Sequence, residues 1–192
     1  MSKLELLKKF TLFDPQVDDE SKIAKTSGFY VILLRQEACL PQCEVAYQPI
    51  VVEYEGHRYE IIYVGISTKS LYKRDYLTHF KGNNSGRSTL RKSLGSLMGL
   101  TKTYRSPGEK QKPNPKTKFS DEDEKNLSEW MNRNLLLLFY EMPDSELDDF
   151  EKEMINYLNP PLNISKNNNL INQRYRNNLK RLRNNLANFV DL

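Results

Sequence analysis

The chain has 192 residues, 28% of them charged, and a mean hydropathy of −0.70. That is enough for one domain with a real core and too little for a second full domain, and no apolar run approaches the roughly 18 residues of a membrane span. Net charge is +4 with a pI near 8.9, which permits a polyanionic partner without requiring one. Acids gather over residues 121–124 and 144–153, whereas Lys and Arg concentrate over residues 69–118 and again after Lys166, which predicts one positively charged face.

Residues 1–13 read as an amphipathic helix and lack the apolar core and cleavage site of a signal peptide, so a cytoplasmic protein is expected. Residues 14–27 form a polar connector, and the fold proper begins near Gly28. β-rich runs at 29–35, 50–54 and 58–64 predict a small antiparallel sheet, with Glu55-Gly56 turning the second run into the third. Residues 37–49 make a long excursion between the first two strands. They hold Cys39 and Cys43, a C-x3-C pair without a second pair or a nearby His, read as two reduced thiols rather than a zinc site.

After Gly65 the period becomes helical, with Leu71, Tyr72, Tyr76, Leu77 and Phe80 expected on one face. Gly82 to Gly86 breaks that helix. Ser88 caps a second helix striped by Leu90, Leu94, Leu97 and Met98. Residues 104–118, rich in Pro, Lys and Arg, read as a basic loop. Ser120 opens a helix whose first-turn acids complement its dipole, with Leu127, Trp130 and Met131 inward, and residues 135–142 form a further strand. Residues 145–158 are helical and stop at Asn159-Pro160-Pro161. The tail carries Leu179, Leu182, Leu186 and Phe189 at helical spacing among cations and reads as a basic amphipathic helix. Three segments result: residues 1–27, 28–167 and 168–192.

Phosphodiester hydrolysis needs a group to activate water, positive charge for the developing phosphorane, and a metal left open to substrate. Tyr30 lies on the first strand in Gly28-Phe29-Tyr30, and Tyr63 ends the third in Tyr63-Val64-Gly65, so both can meet on one face. Arg74 falls on the helix that follows. Glu151 sits on a later helix, trailed by Ile155, Pro160 and Asn163. Taken singly these residues are bland: tyrosines are common in strands, a helix Glu is ordinarily solvated, and Asn163 can simply satisfy backbone after two prolines.

The ordered set resembles the GIY-YIG nuclease family, with Phe29 and Val64 as conservative departures within its two motifs. The stretches 78–83, 88–91, 127–131 and 160–163 are similar to its small stand-alone bacterial members. The resemblance spans residues 28–167 and implies a mixed α/β (α+β) domain with a three-stranded antiparallel sheet flanked by helices. It implies that Tyr30 and Tyr63 position or deprotonate the attacking water, that Arg74 clamps the scissile phosphate, that Glu151 holds a single Mg²⁺ or Mn²⁺, and that His79 and Asn163 support them. The interval to Pro160 and Asn163 favours Glu151 over Glu153. His79 stands one residue beyond its place in some relatives. Arg74 and Lys73 are expected to depress the tyrosine pKa from its reference near 10.

Lys73, Arg87, Arg91 and Lys92 are expected phosphate contacts beside the glycine-rich turn. The function implied is a metal-dependent DNA endonuclease of restriction, repair or phage defence. The alternatives are a nucleic-acid-binding module with this fold but little turnover, and a protein-interaction scaffold using the acidic helix and the Leu-striped tail. No membrane partner is expected. A dimer would suit two-strand cleavage, but no interface is diagnostic in the sequence.

Overall fold

The computed structural model describes residues 3–185 and 188–190. Five strands form one antiparallel sheet in the order β1-β7-β2-β4-β3, comprising β1 (Thr11–Phe13), β2 (Gly28–Leu34), β3 (Ile50–Tyr54), β4 (His57–Ser67) and β7 (Leu135–Glu141). The expected three strands are therefore the middle of a wider sheet. β7 pairs along all of β2, and β1 extends the edge where the sequence suggested helix. Among the described residues of that first segment only Lys3–Leu7 is helical (α1).

β2 is buried at every position, because both faces of the sheet are covered. Its alternation divides the core: Tyr30, Ile32 and Leu34 face one layer, and Phe29, Val31 and Leu33 the other. Over the first face lie a π-helix (Tyr72–Phe80), α2 (Thr89–Leu97), α3 (Asp121–Asn134) and α5 (Gln173–Asn184). Over the second lie α1 and α4 (Asp144–Leu158). Each fully buried Leu or Phe in such layers contributes roughly 1.5–3 kcal/mol.

The caps expected at Ser88 and Ser120 are present, each side chain accepting from a backbone N–H three residues on. Asn159 ends α4 in the left-handed region, at φ 43°. Leu77 departs from the predicted stripe and is exposed, because the helix that carries it is not wound as an α-helix. The basic loop is bracketed by a hairpin, β5 (Lys102–Tyr104) with β6 (Thr117–Phe119). α5 packs on α2, with its Tyr175 and Leu179 buried in the first layer, and Phe189 packs on Tyr104; Leu186 lies outside the described residues. Among the described residues no helix is long and apolar enough to cross a membrane.

Candidate active site

In β4 the pairing with β2 slips between Ile32 and Leu33, so Ile32 opposes Tyr63 while Leu33 opposes Ile61. Ile62 is the extra residue of a β-bulge, and Ile62 and Tyr63 consecutively face the same layer. The bulge turns Tyr63 onto the face of Tyr30, with ring centroids 6.2 Å apart. Tyr30 itself opposes Gly65, and a Cβ there would stand 2.5 Å from the Tyr30 hydroxyl. The last residue of the second motif is glycine because the first motif's tyrosine lies across it.

Beyond Ile61 strand β3 has ended, which leaves the outer edge of β4 without a strand partner. The segment after the two prolines fills it. Leu162 N–H donates to Ile62 O, Asn163 Oδ1 accepts from Val64 N–H at 2.9 Å, and Asn163 Nδ2 donates to Val64 O at 2.8 Å. Both Asn163 amide atoms are thus committed to the backbone between Tyr63 and Gly65, and the residue braces the bulged strand.

Arg74 and His79 lie five residues apart, which on an α-helix separates them by about 140°. The helix here is a π-helix, in which residues five apart line up, and Lys81 N–H donates to Tyr76 O in that i→i+5 pattern. His79 Nε2 sits 2.8 Å from the Tyr30 hydroxyl, and its Nδ1 is 2.7 Å from Ser88 Oγ. Ser88 Oγ also accepts from Arg91 N–H at 3.1 Å, so the residue that caps α2 also seats the imidazole. Burial, reinforced by the positive charges of Arg74 and Arg91, holds the His79 pKa well below its usual range and the ring neutral.

Arg74 is half-buried, donates to Arg87 O at 3.2 Å, and acts electrostatically on both tyrosines. Its pull does not prevail. Burial pushes Tyr30 well above the ordinary phenol range and raises Tyr63 too, while Lys73 is exposed. The expected depression of the tyrosine pKa by these cations is therefore overturned by desolvation.

Glu151 presents a mostly covered carboxylate to Lys166 Nζ at 2.5 Å and acts electrostatically on Tyr63. Its sequence rival Glu153 is turned to Lys3, at 2.6 Å. Tyr30, Tyr63, Arg74, His79 and Glu151 are thus linked through contacts and charge. A family model described as the GIY-YIG catalytic domain matches residues 28–185.

The chain belongs to the GIY-YIG family. No curated protein and no solved structure matches it. The match starts on Gly28 of the first motif and extends to residue 185, just past the end of α5. Among the described residues no three His, Cys, Asp or Glu side chains gather as a ready metal cage. The chemistry of Glu151 still fits the divalent cation that the family implies: a single hard carboxylate suits Mg²⁺, which keeps most of its waters and borrows phosphate oxygens.

Arg91, expected to touch phosphate, does not reach the surface. Its guanidinium is fully buried and donates to Oε2 of the Glu124 carboxylate and to Glu124 O, both at 2.7 Å, to His79 O at 2.8 Å and to Ser128 Oγ at 2.9 Å. It ties the π-helix, α2 and α3 together. Arg87 is exposed and Lys92 half-buried, both on the side of the glycine-rich turn.

Sequence reading missed Asp75, which sits beside Arg74 on the inward side of the π-helix and is completely buried with no hydrogen-bond partner for either oxygen. Burial pushes its carboxyl well above the usual range, against the pull of Arg74. The folded protein therefore holds a proton at Asp75 that the unfolded chain releases above about pH 4, and stability from this group falls as pH rises from there toward its folded pKa. Asp75→Asn removes that penalty. The variant is expected to melt at a higher temperature than the parent at pH 7, with the gap narrowing toward pH 4. Parallel melts across that range check it, and a constant gap would refute the assignment.

Proposed function

We propose that the protein is a metal-dependent endonuclease that hydrolyses phosphodiester bonds of DNA. The observation that carries this reading is the buried chain from Tyr30 through His79 to Ser88, set beside Arg74. Arg74 is free on its outer side to clamp the scissile phosphate and to stabilise the charge that grows on it. Tyr30, neutral in the resting protein, accepts a proton from the attacking water as it passes its own to Nε2 of neutral His79. The hydroxide so formed attacks phosphorus, the bond to the leaving sugar oxygen breaks, and that oxygen takes a proton from solvent while His79 releases its own as the site resets. The imidazolium is disfavoured in the resting site by burial and by two arginines, and the negative phosphorane offsets that. Tyr63 orients the water from the facing strand. Glu151 would hold Mg²⁺ or Mn²⁺, which would supply Lewis-acid stabilisation of the charge that develops in the reaction.

A DNA-binding module with little turnover is the reading favoured by the closed Glu151–Lys166 pair. One experiment separates the two: supercoiled plasmid incubated with Mg²⁺, Mn²⁺ or chelator, with Glu151→Gln in parallel. Metal-dependent nicking or linearisation by the parent, lost in a Glu151→Gln protein that still melts cooperatively and binds DNA, is expected. Cleavage by Glu151→Gln would refute the metal assignment, and salt-sensitive binding without any product would favour the module.

A further inference from the structure

Between α2, the β5–β6 hairpin and the end of α5 lies a cavity of about 220 Å³ whose wall carries Lys92, Lys102, Lys116, Lys118 and Arg183 and no carboxylate. At roughly 30 Å³ per water it has room for a phosphate group with part of its hydration. Two of these cations are already spent. Lys102 Nζ donates to Leu182 O at 3.0 Å, Arg183 O at 3.1 Å and Asn185 O at 2.5 Å, closing the carboxyl end of α5, and Lys118 is paired with Asp121 at 2.5 Å. Lys92, Lys116 and Arg183 have no ion-pair partner among the described residues, and the stem of neighbouring Arg105 lies over Gly86 close enough that a Cβ there would meet its Cδ at 2.8 Å.

Three cations without an ion-pair partner among the described residues, Lys92 of α2, Lys116 of the hairpin and Arg183 of α5, are held together against their own repulsion, with Arg105 nearby beside Glu109. Lys92 is half-buried, and burial together with Arg183, Arg105 and Lys116 lowers its pKa. A solvated basic face lets such side chains spread. Here Lys102 anchors the end of α5, the hairpin is held by its ladder, and α2 is capped, so the cations have little freedom to part. Charges gathered in this way are matched by an anion with several acceptor oxygens. The cluster also reaches the active site: Arg183 interacts electrostatically with Tyr63.

We propose that this cavity is a second phosphate subsite, in which Lys92, Lys116 and Arg183 hold a DNA backbone phosphate beside the one clamped by Arg74. The assignment rests on the endonuclease reading. It gives the tail helix and the basic hairpin one task, which is to fix the register of the strand so that its scissile phosphate falls between Arg74 and the tyrosines.

The test is fluorescence anisotropy of a labelled duplex with the full chain in chelator, over a series of salt concentrations, for the parent, Lys92→Gln/Arg183→Gln, and Lys152→Gln on exposed α4 as control, each checked by thermal melting. The double variant is expected to bind about tenfold more weakly and to lower the slope of log affinity against log salt by about one, the signature of one lost phosphate contact. Lys152→Gln should match the parent. An unchanged slope in a folded double variant overturns the subsite. So does protection of the parent by millimolar inorganic phosphate in melts without any change in DNA slope, which would make the cavity a free-phosphate site. The plasmid assay keeps the two readings apart: a parent that cuts plasmid while the double variant binds normally loses the subsite alone, whereas a parent that neither binds nor cuts DNA loses the endonuclease reading as well.

Discussion

Tyr30→Phe is expected to slow metal-dependent plasmid cleavage by about 10²–10⁴-fold, the range for losing a positioned proton-transfer group, while leaving the fold intact. The ring is almost wholly buried and packs over Gly65, and phenylalanine fills the same space. What disappears is one hydroxyl and its 2.8 Å contact with His79. Because Tyr30 and His79 act in series, His79→Gln should cost much of the same rate, and the double variant should be scarcely slower than either single one. Single-turnover rates on a labelled duplex, with melts of each variant, check this. Multiplicative losses would show that the two side chains contribute separately, and a Tyr30→Phe protein that cuts at the parental rate would move the water-activating role to Tyr63.

That arrangement was only partly legible in the chain. Strand runs, helix caps and the Asn159 stop could be read because they depend on local chemistry: alternation, a hydroxyl before a helix, a residue tolerant of the left-handed region. The β-bulge at Ile62 could not, since Ile61 and Ile62 are equally apolar and only the pairing with β2 tells which is the extra residue. The π-helix was hidden in the same way. Leu71, Tyr76 and Phe80 suit an ordinary amphipathic helix, and the wider winding shows only in where Arg74, His79 and the exposed Leu77 end up. The sequence shows only one of the two tasks of Ser88, because nothing local reports that a capping hydroxyl will meet a histidine nine residues earlier. β1 was lost to helix because Lys3–Leu7 and Thr11–Phe13 run together in a single apolar pattern.

Arg91 shows most plainly how a cation read from sequence as surface can be core. Arg91→Ala leaves the Glu124 carboxylate, which also accepts from Ser85 N–H and Phe119 N–H, buried without its counter-charge. Breaking a buried pair on one side costs about 3–5 kcal/mol, which at roughly 2–4 °C per kcal/mol for a chain of this length is a fall in Tm on the order of 10 °C. The surface reading expects something different: weaker DNA binding, a shallower salt slope and an unchanged melt. Differential scanning calorimetry with anisotropy on the same samples decides between them. Removing both charges with hydrophobic residues of similar volume, as in Arg91→Met/Glu124→Leu, is expected to recover only part of the lost stability, because the unpaired charge is gone but Ser85 N–H loses its Glu124 acceptor. The rescued protein should still cut more slowly than the parent. His79 O and Ser128, which in turn donates to Gly82 O, hang on the Arg91 network, and without it the end of the π-helix that seats His79 against Tyr30 keeps only the Ser88 bond to the imidazole and the Asn132 bond to Phe80 O.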